Sequence, residues 1–175
     1  MGAELKIPSV AQAAWETHRA ALSRAMDVLV HTAWGSPEAE AAAEEARQRY
    51  MLAHEGTFRD SYNATNVLLT LGLSWGQHVL PLVGPDCMLR GEALDRVVAM
   101  VEGAKQEIPL VEELASYGPI LNDMDLMFAR GDKEQLKAHP SSPDAWREHF
   151  REKRMELINF LRRAVEKDEG VFCGI

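Results

Sequence analysis

From Ser61 to Pro85 the chain contains no Asp, Glu, Lys or Arg, the longest uncharged stretch in the sequence. A segment so poor in charge is placed where water is scarce, either in a protein core or in a bilayer. The bilayer reading fails because Asn63, Asn66, Gln77 and His78, with Gly72, Gly76 and Pro81, interrupt the apolar residues before about 20 accumulate. The segment is therefore expected to be buried in a core, as two short helices. Asn63 can cap the first (64–71) and Gly72 can end it. Ser74 can cap the second (75–83), with Pro81 ending or kinking it.

The flanking sequence reads as helices that cover this core. Between Ser9 and Trp34, the residues Trp15, Leu22, Ala25, Met26, Leu29 and Ala33 follow a three-and-four spacing that lines one helical face, with Pro8-Ser9 as a start and Gly35 as a stop. Ser36-Pro37-Glu38 then offers an N-cap, a proline at the first helical position and an acid at the positive dipole end. A second, Ala-rich helix over 38–54 follows, and the short connection predicts an antiparallel hairpin. Beyond the Gly84-Pro85-Asp86 turn signal, Leu94, Val97, Val98 and Val101 mark a helix over 91–105. Weaker helical signals cover 110–117 and 123–137. Pro140-Ser141-Ser142-Pro143-Asp144 opens the clearest helix, running to about Asp168 on the stripe Trp146, Phe150, Leu157, Leu161 and Ala164. At about 1.5 Å per residue it is nearly 40 Å long. The tail after Gly170 is expected to pack as an extended end. The only candidate strand is Val67 to Leu73, and no repeat or linker divides the chain. The expectation is one all-α domain over 1–175, a bundle of about six to eight helices with long first and last members.

Composition narrows the class of function. At 175 residues, with 46% hydrophobic and 26% charged residues, the chain matches a soluble globular domain able to bury roughly 70% of its unfolded surface. A net charge of -8 weighs against nucleic-acid binding, which needs clustered cations to neutralise phosphates. Cys87 and Cys173 have no partner at metal or redox-motif spacing, so they are expected as reduced thiols. The first residues lack the apolar run of a signal peptide and the myristoylation pattern, and Cys173-Gly174-Ile175 misses the prenylation spacing. A cytoplasmic protein without membrane attachment is the expectation.

Two places carry residues suited to chemistry. Gly72-Leu73-Ser74-Trp75-Gly76 has the G-x-S-x-G form and, over residues 66–83, resembles the nucleophile elbow of α/β hydrolases. The resemblance implies Ser74 on a strained turn after a strand, with acids at Asp123 or Asp125 and histidines at His139 or His149 following in order. The opposing reading makes Gly72 a C-cap and Ser74 an N-cap, and the missing parallel strands favour it. The second place is the polar run from His54 to Asn66. There Arg59, Asp60, Tyr62, Asn63 and Asn66 form a candidate small-ligand site in which Arg59 grips an anion and Asn66 orients it. The same residues also fit structural roles, with Arg59 and Asp60 in ion pairs and the amides satisfying backbone groups. No HExxH, ExxH or glycine-rich phosphate loop occurs, so neither a metal site nor a cofactor is expected.

The net charge is concentrated. Residues 36–55 carry -3 and residues 91–125 carry -6, and the remainder is close to neutral. The leading expectation is a non-catalytic interaction or self-associating module, a homodimer among its forms, whose acidic 91–125 region meets a basic protein. A small enzyme using Ser74 or the 54–66 loop is the alternative.

Overall fold

The computed structural model describes residues 3–60, 67–105 and 143–175. They fall into two compact units, one of residues 8–57 and one of residues 1–7 with 58–175. The expected all-α bundle of six to eight helices is corrected by a four-stranded antiparallel sheet of β1 (Ala3–Lys6), β2 (Thr57–Asp60), β3 (Met88–Leu89) and β4 (Val171–Gly174). Its strand order is β2-β1-β4-β3. Strands of two to four residues are too short to reveal a period of two, which is why the sequence pattern missed them. The helices expected over 110–117 and 123–137 lie outside the described residues.

The sheet is built from the two ends of the chain. In β1 against β4, Leu5 faces Cys173 and Lys6 faces Phe172; in β3 against β4, Leu89 faces Val171 and Met88 faces Phe172. Side chains alternate across a strand, so Ala3, Leu5, Phe58, Leu89, Val171 and Cys173 share the buried side while Glu4, Lys6, Arg59 and Phe172 share the other. Phe58 packs on Phe160 with ring centroids 6.1 Å apart. The expected extended tail after Gly170 is thus an interior strand of the sheet.

Of the described part of the uncharged segment, 67–85, only Val67, Leu68, Thr70, Leu71, Trp75 and Val79 are buried, with Leu80 45% exposed, and it does not form two regular helices. It is a 3₁₀ turn (Leu69–Leu71), a π turn (Trp75–Val79) and a second 3₁₀ turn (Leu80–Leu82). Gly72, Gly76 and Pro81 recur too often for an α-helix to propagate between them. Gly72 has φ 67°, and its N–H bonds Leu69 O while Leu73 N–H closes back on Leu68 O, a Schellman stop. Val67, Leu68, Leu71, Trp75 and Val79 are buried, and the buried Thr70 hydroxyl donates to Val67 O at 2.7 Å.

Two long helices complete this unit's described part. These are α3 (Gly91–Gly103), with Leu94, Val97 and Val101 buried, and α4 (Pro143–Glu166), with Phe150, Leu157, Ile158, Leu161 and Ala164 buried. The stripes pack α3 against α4. The outer face of α4 carries i, i+3 ion pairs such as Lys153 with Glu156 at 2.7 Å, as its alternating charges foretold.

Residues 8–57 form the expected helical hairpin of α1 (Pro8–His31) and α2 (Pro37–Ala53). Gly35 supplies the positive φ of the turn, Ser36 Oγ accepts from Ala39 N–H, and Pro37 sits in the first turn. The buried stripe of α2 is entirely alanine: Ala39, Ala42, Ala46 and Ala53. Alanine lets two helix backbones approach closely, because little side chain stands between them. In α1, Ala14, Ala25 and Leu29 are buried, whereas Trp15, expected on that stripe, is 46% exposed and meets His54 edge-on at 6.2 Å. Gly56 (φ 76°) has no room for a side chain, since a Cβ would lie 2.7 Å from Val10 Cβ.

Ala46, fully buried, tests the close approach. Ala46→Leu should cost about 1–3 kcal/mol through overpacking, read as a lower urea midpoint with an unchanged m-value.

Candidate functional site

Strand β2 places the two charged candidates of the polar loop on opposite sides of the sheet. Arg59 is on the exposed side, where its Nη2 lies 3.4 Å from Glu4 Oε1, and Lys6 Nζ reaches the same oxygen at 2.8 Å. The hydrogen bond from Lys6 is the main cause that holds the Glu4 carboxyl below its ordinary 4.5; burial opposes it, and the charges of Arg59 and Lys6 add to the lowering. Asp60 lies on the buried side, 8% exposed. Tyr62, Asn63 and Asn66 lie outside the described residues. His54, at the end of α2, stacks on Tyr50 at 3.9 Å and donates through Nδ1 to the Tyr50 carbonyl at 2.8 Å.

Asp60 organises the uncharged segment. Its carboxylate accepts the Val67 N–H at 2.9 and 3.1 Å and the Trp75 indole N–H at 2.7 Å. Trp75 is 1% exposed, so its indole donor depends on a protein partner. Hydrogen bonds to a charged acceptor are worth about 1.5–3 kcal/mol, and removing the acceptor strands both buried donors. The sequence held a partial signal for this pairing: Trp75 lies in a stretch with no anion of its own, bordered by two acids, Asp60 and Asp86, of which the fold uses Asp60.

Ser74 sits in a cap. Its hydroxyl accepts from Gln77 N–H at 3.4 Å, and its own N–H donates to His78 Nδ1 at 3.0 Å. The residues before it, Val67 to Leu73, form turns where an elbow has a strand. The imidazole at this turn is thereby engaged with the serine backbone.

A groove of about 410 Å³ opens between α3 and α4. It is open to solvent and lined by Val98, Ala99 and Val165 together with Asp95, Glu102, Glu166 and Arg162. Asp95, Val98, Ala99 and Glu102 follow the helical period on α3, one step beside the buried stripe of Leu94, Val97 and Val101. Arg162 Nε donates to Glu102 Oε1 at 2.6 Å, which leaves an acidic excess of two charges in the lining. Arg154 Nη2 donates to Val101 O and Glu102 O, each at 2.8 Å. That cation caps the negative end of α3 and ties it to α4. Of the acidic 91–125 region, only 91–105 is described, and it forms this wall. Among the described residues no group of three or more His, Cys, Asp or Glu is placed to hold a metal ion, and no helix is long and apolar enough to cross a membrane.

Asp60→Ala should cost about 3 kcal/mol in urea unfolding, because it orphans two buried donors, and Trp75→Phe about 1–2 kcal/mol. Glu4 has a folded-state pKa below its unfolded value, so its stabilisation is present above about 4.5 and fades as pH falls through the lower folded value. Glu4→Gln should therefore flatten the loss of stability below about pH 4.5 and cost no more than about 0.5 kcal/mol at pH 7, since the pair is solvent-screened. Compared with models of protein families, with curated proteins and with solved structures, the chain matches none of them.

Proposed function

We propose that the protein is a non-catalytic interaction module of the cytoplasm whose α3–α4 groove receives a basic, amphipathic segment of a partner protein. The observation that carries this reading is the groove's composition, apolar Val98, Ala99 and Val165 beside three acids and one arginine. The apolar lining rewards desolvation of a partner's aliphatic side chains, and the acids beside it steer and orient cations. Lysine and arginine satisfy both requirements, since their stems lie on apolar surface while their heads reach carboxylates. The overall charge of -8 supports a basic protein over a nucleic acid as the occupant. The fixed α3–α4 pair supports binding without a large reorganisation, because Arg154 and Arg162 already tie the two walls together.

The test is titration of the full chain with a labelled helical peptide bearing lysines at i, i+3 and i+7 around an apolar stripe. Binding should weaken about tenfold or more in Asp95→Lys/Glu166→Lys, and also as salt rises from 50 to about 300 mM. Equal affinity in both proteins, or no binding by either, overturns the reading. Sedimentation of the free chain separates a second copy in the groove from a foreign partner, since self-association abolished by the same substitutions would replace one occupant with the other.

A further inference from the structure

The turn before β3 brings the chain's two cysteines together. Cys87 and Cys173 are 86 positions apart in sequence, yet the register that sets Met88 against Phe172 and Leu89 against Val171 continues one step to set Cys87 against Cys173. The continuation is made by a hydrogen bond, Cys173 N–H to Cys87 O at 2.8 Å. That bond joins the two cysteine backbones directly at the end of the β3–β4 pair, and a disulfide bridges Cα atoms about 4.4–6.8 Å apart. Both cysteines are free thiols, Cys87 exposed and Cys173 buried.

The turn itself is unusual at Cys87. Cys87 N–H bonds Gly84 O and Gly84 N–H bonds Met88 O, so Gly84-Pro85-Asp86 is a reverse turn followed by a one-residue bulge. That bulge position takes a left-handed backbone and is ordinarily glycine, whereas here a cysteine occupies it at φ 61°. The departure keeps a thiol on an exposed turn, opposite a second thiol on the adjoining strand.

We infer that Cys87 and Cys173 form a reversible intramolecular disulfide when the chain meets a low-molecular-weight disulfide such as oxidised glutathione. The exposed Cys87 thiolate attacks one sulfur of the oxidant, the oxidant's S–S bond breaks, and one glutathione thiolate leaves. Cys173 then gives up its proton to solvent and attacks Cys87 Sγ in the mixed disulfide, and the second glutathione leaves. Two protein thiols are oxidised to one disulfide, and one oxidised glutathione is reduced to two thiols. The order follows from access: burial pushes the Cys173 thiol up to about 12, so it does not start the exchange, and its turn comes when β4 opens locally. The bond ties the 84–87 turn to the last strand and closes the loop that contains α3 and α4.

The experiment treats the full native chain with oxidised glutathione, quenches with acid, and maps thiols and cross-linked peptides by mass spectrometry. The expected result is a product two hydrogens lighter, with a peptide joining Cys87 to Cys173, no retained glutathione, and a higher Tm that returns to its starting value on reduction. In Cys173→Ser, glutathione should stay on Cys87; in Cys87→Ser, Cys173 should remain unmodified while the chain is folded. Glutathione retained on wild-type Cys87, a dimer cross-linked through Cys87, or both thiols surviving treatment each overturns the proposal. The wild-type result stands without either variant, so a variant that fails to fold does not affect it.

Discussion

The backbone pairing of β4 with both β1 and β3 is the constraint on which the described sheet depends. A strand cut from the last residues of the chain lies between one from the first residues and one from the middle. None of these strands exceeds four residues, and a short isolated ribbon is marginal in water. They persist together because pairing is shared across the sheet and because Leu5, Leu89 and Val171 bury on one side of it. Such pairing closes nearly the whole chain into a loop, an entropy cost that burial of the covered side offsets.

That buried side meets an uncharged segment that would otherwise lack an anchor. Turns made of three to five residues place many backbone donors away from water, and each needs an acceptor. Asp60 supplies one, and the same carboxylate fixes the indole of Trp75. Of the two roles the sequence left open for Asp60, these bonds describe the structural one. Arg59, its neighbour, stands on the opposite side of the strand because side chains alternate, and it pairs with Glu4 instead.

Helix α3 shows the same economy of charge at its end. Arg154 from α4 meets the last carbonyls of α3, and Arg162 meets Glu102 in the lining of the groove. The two helices are thereby held so that their acidic and apolar residues line one concavity. The surface acids Asp95 and Glu102 thereby stand beside apolar residues of both helices.

The sequence by itself determined the long helices, through the three-and-four spacing of Leu94, Val97 and Val101 and of Phe150, Leu157, Leu161 and Ala164, and through the caps at Ser36 and Gly72. The charge-free stretch pointed to a core, and Val67, Leu68, Leu71, Trp75 and Val79 are buried, whereas Gly72, Gln77, Leu80 and Pro81 of the same stretch meet solvent. These are local properties, written within a few residues of one another. Only the tertiary structure decided that strands from both ends and the middle of the chain form a sheet, that Asp60 serves Trp75, that α3 and α4 line an open groove, and that Cys173 bonds the Cys87 backbone. Each of these joins residues far apart in the chain, and the register that joins them comes from hydrogen bonds between backbones, which carry no mark of residue type.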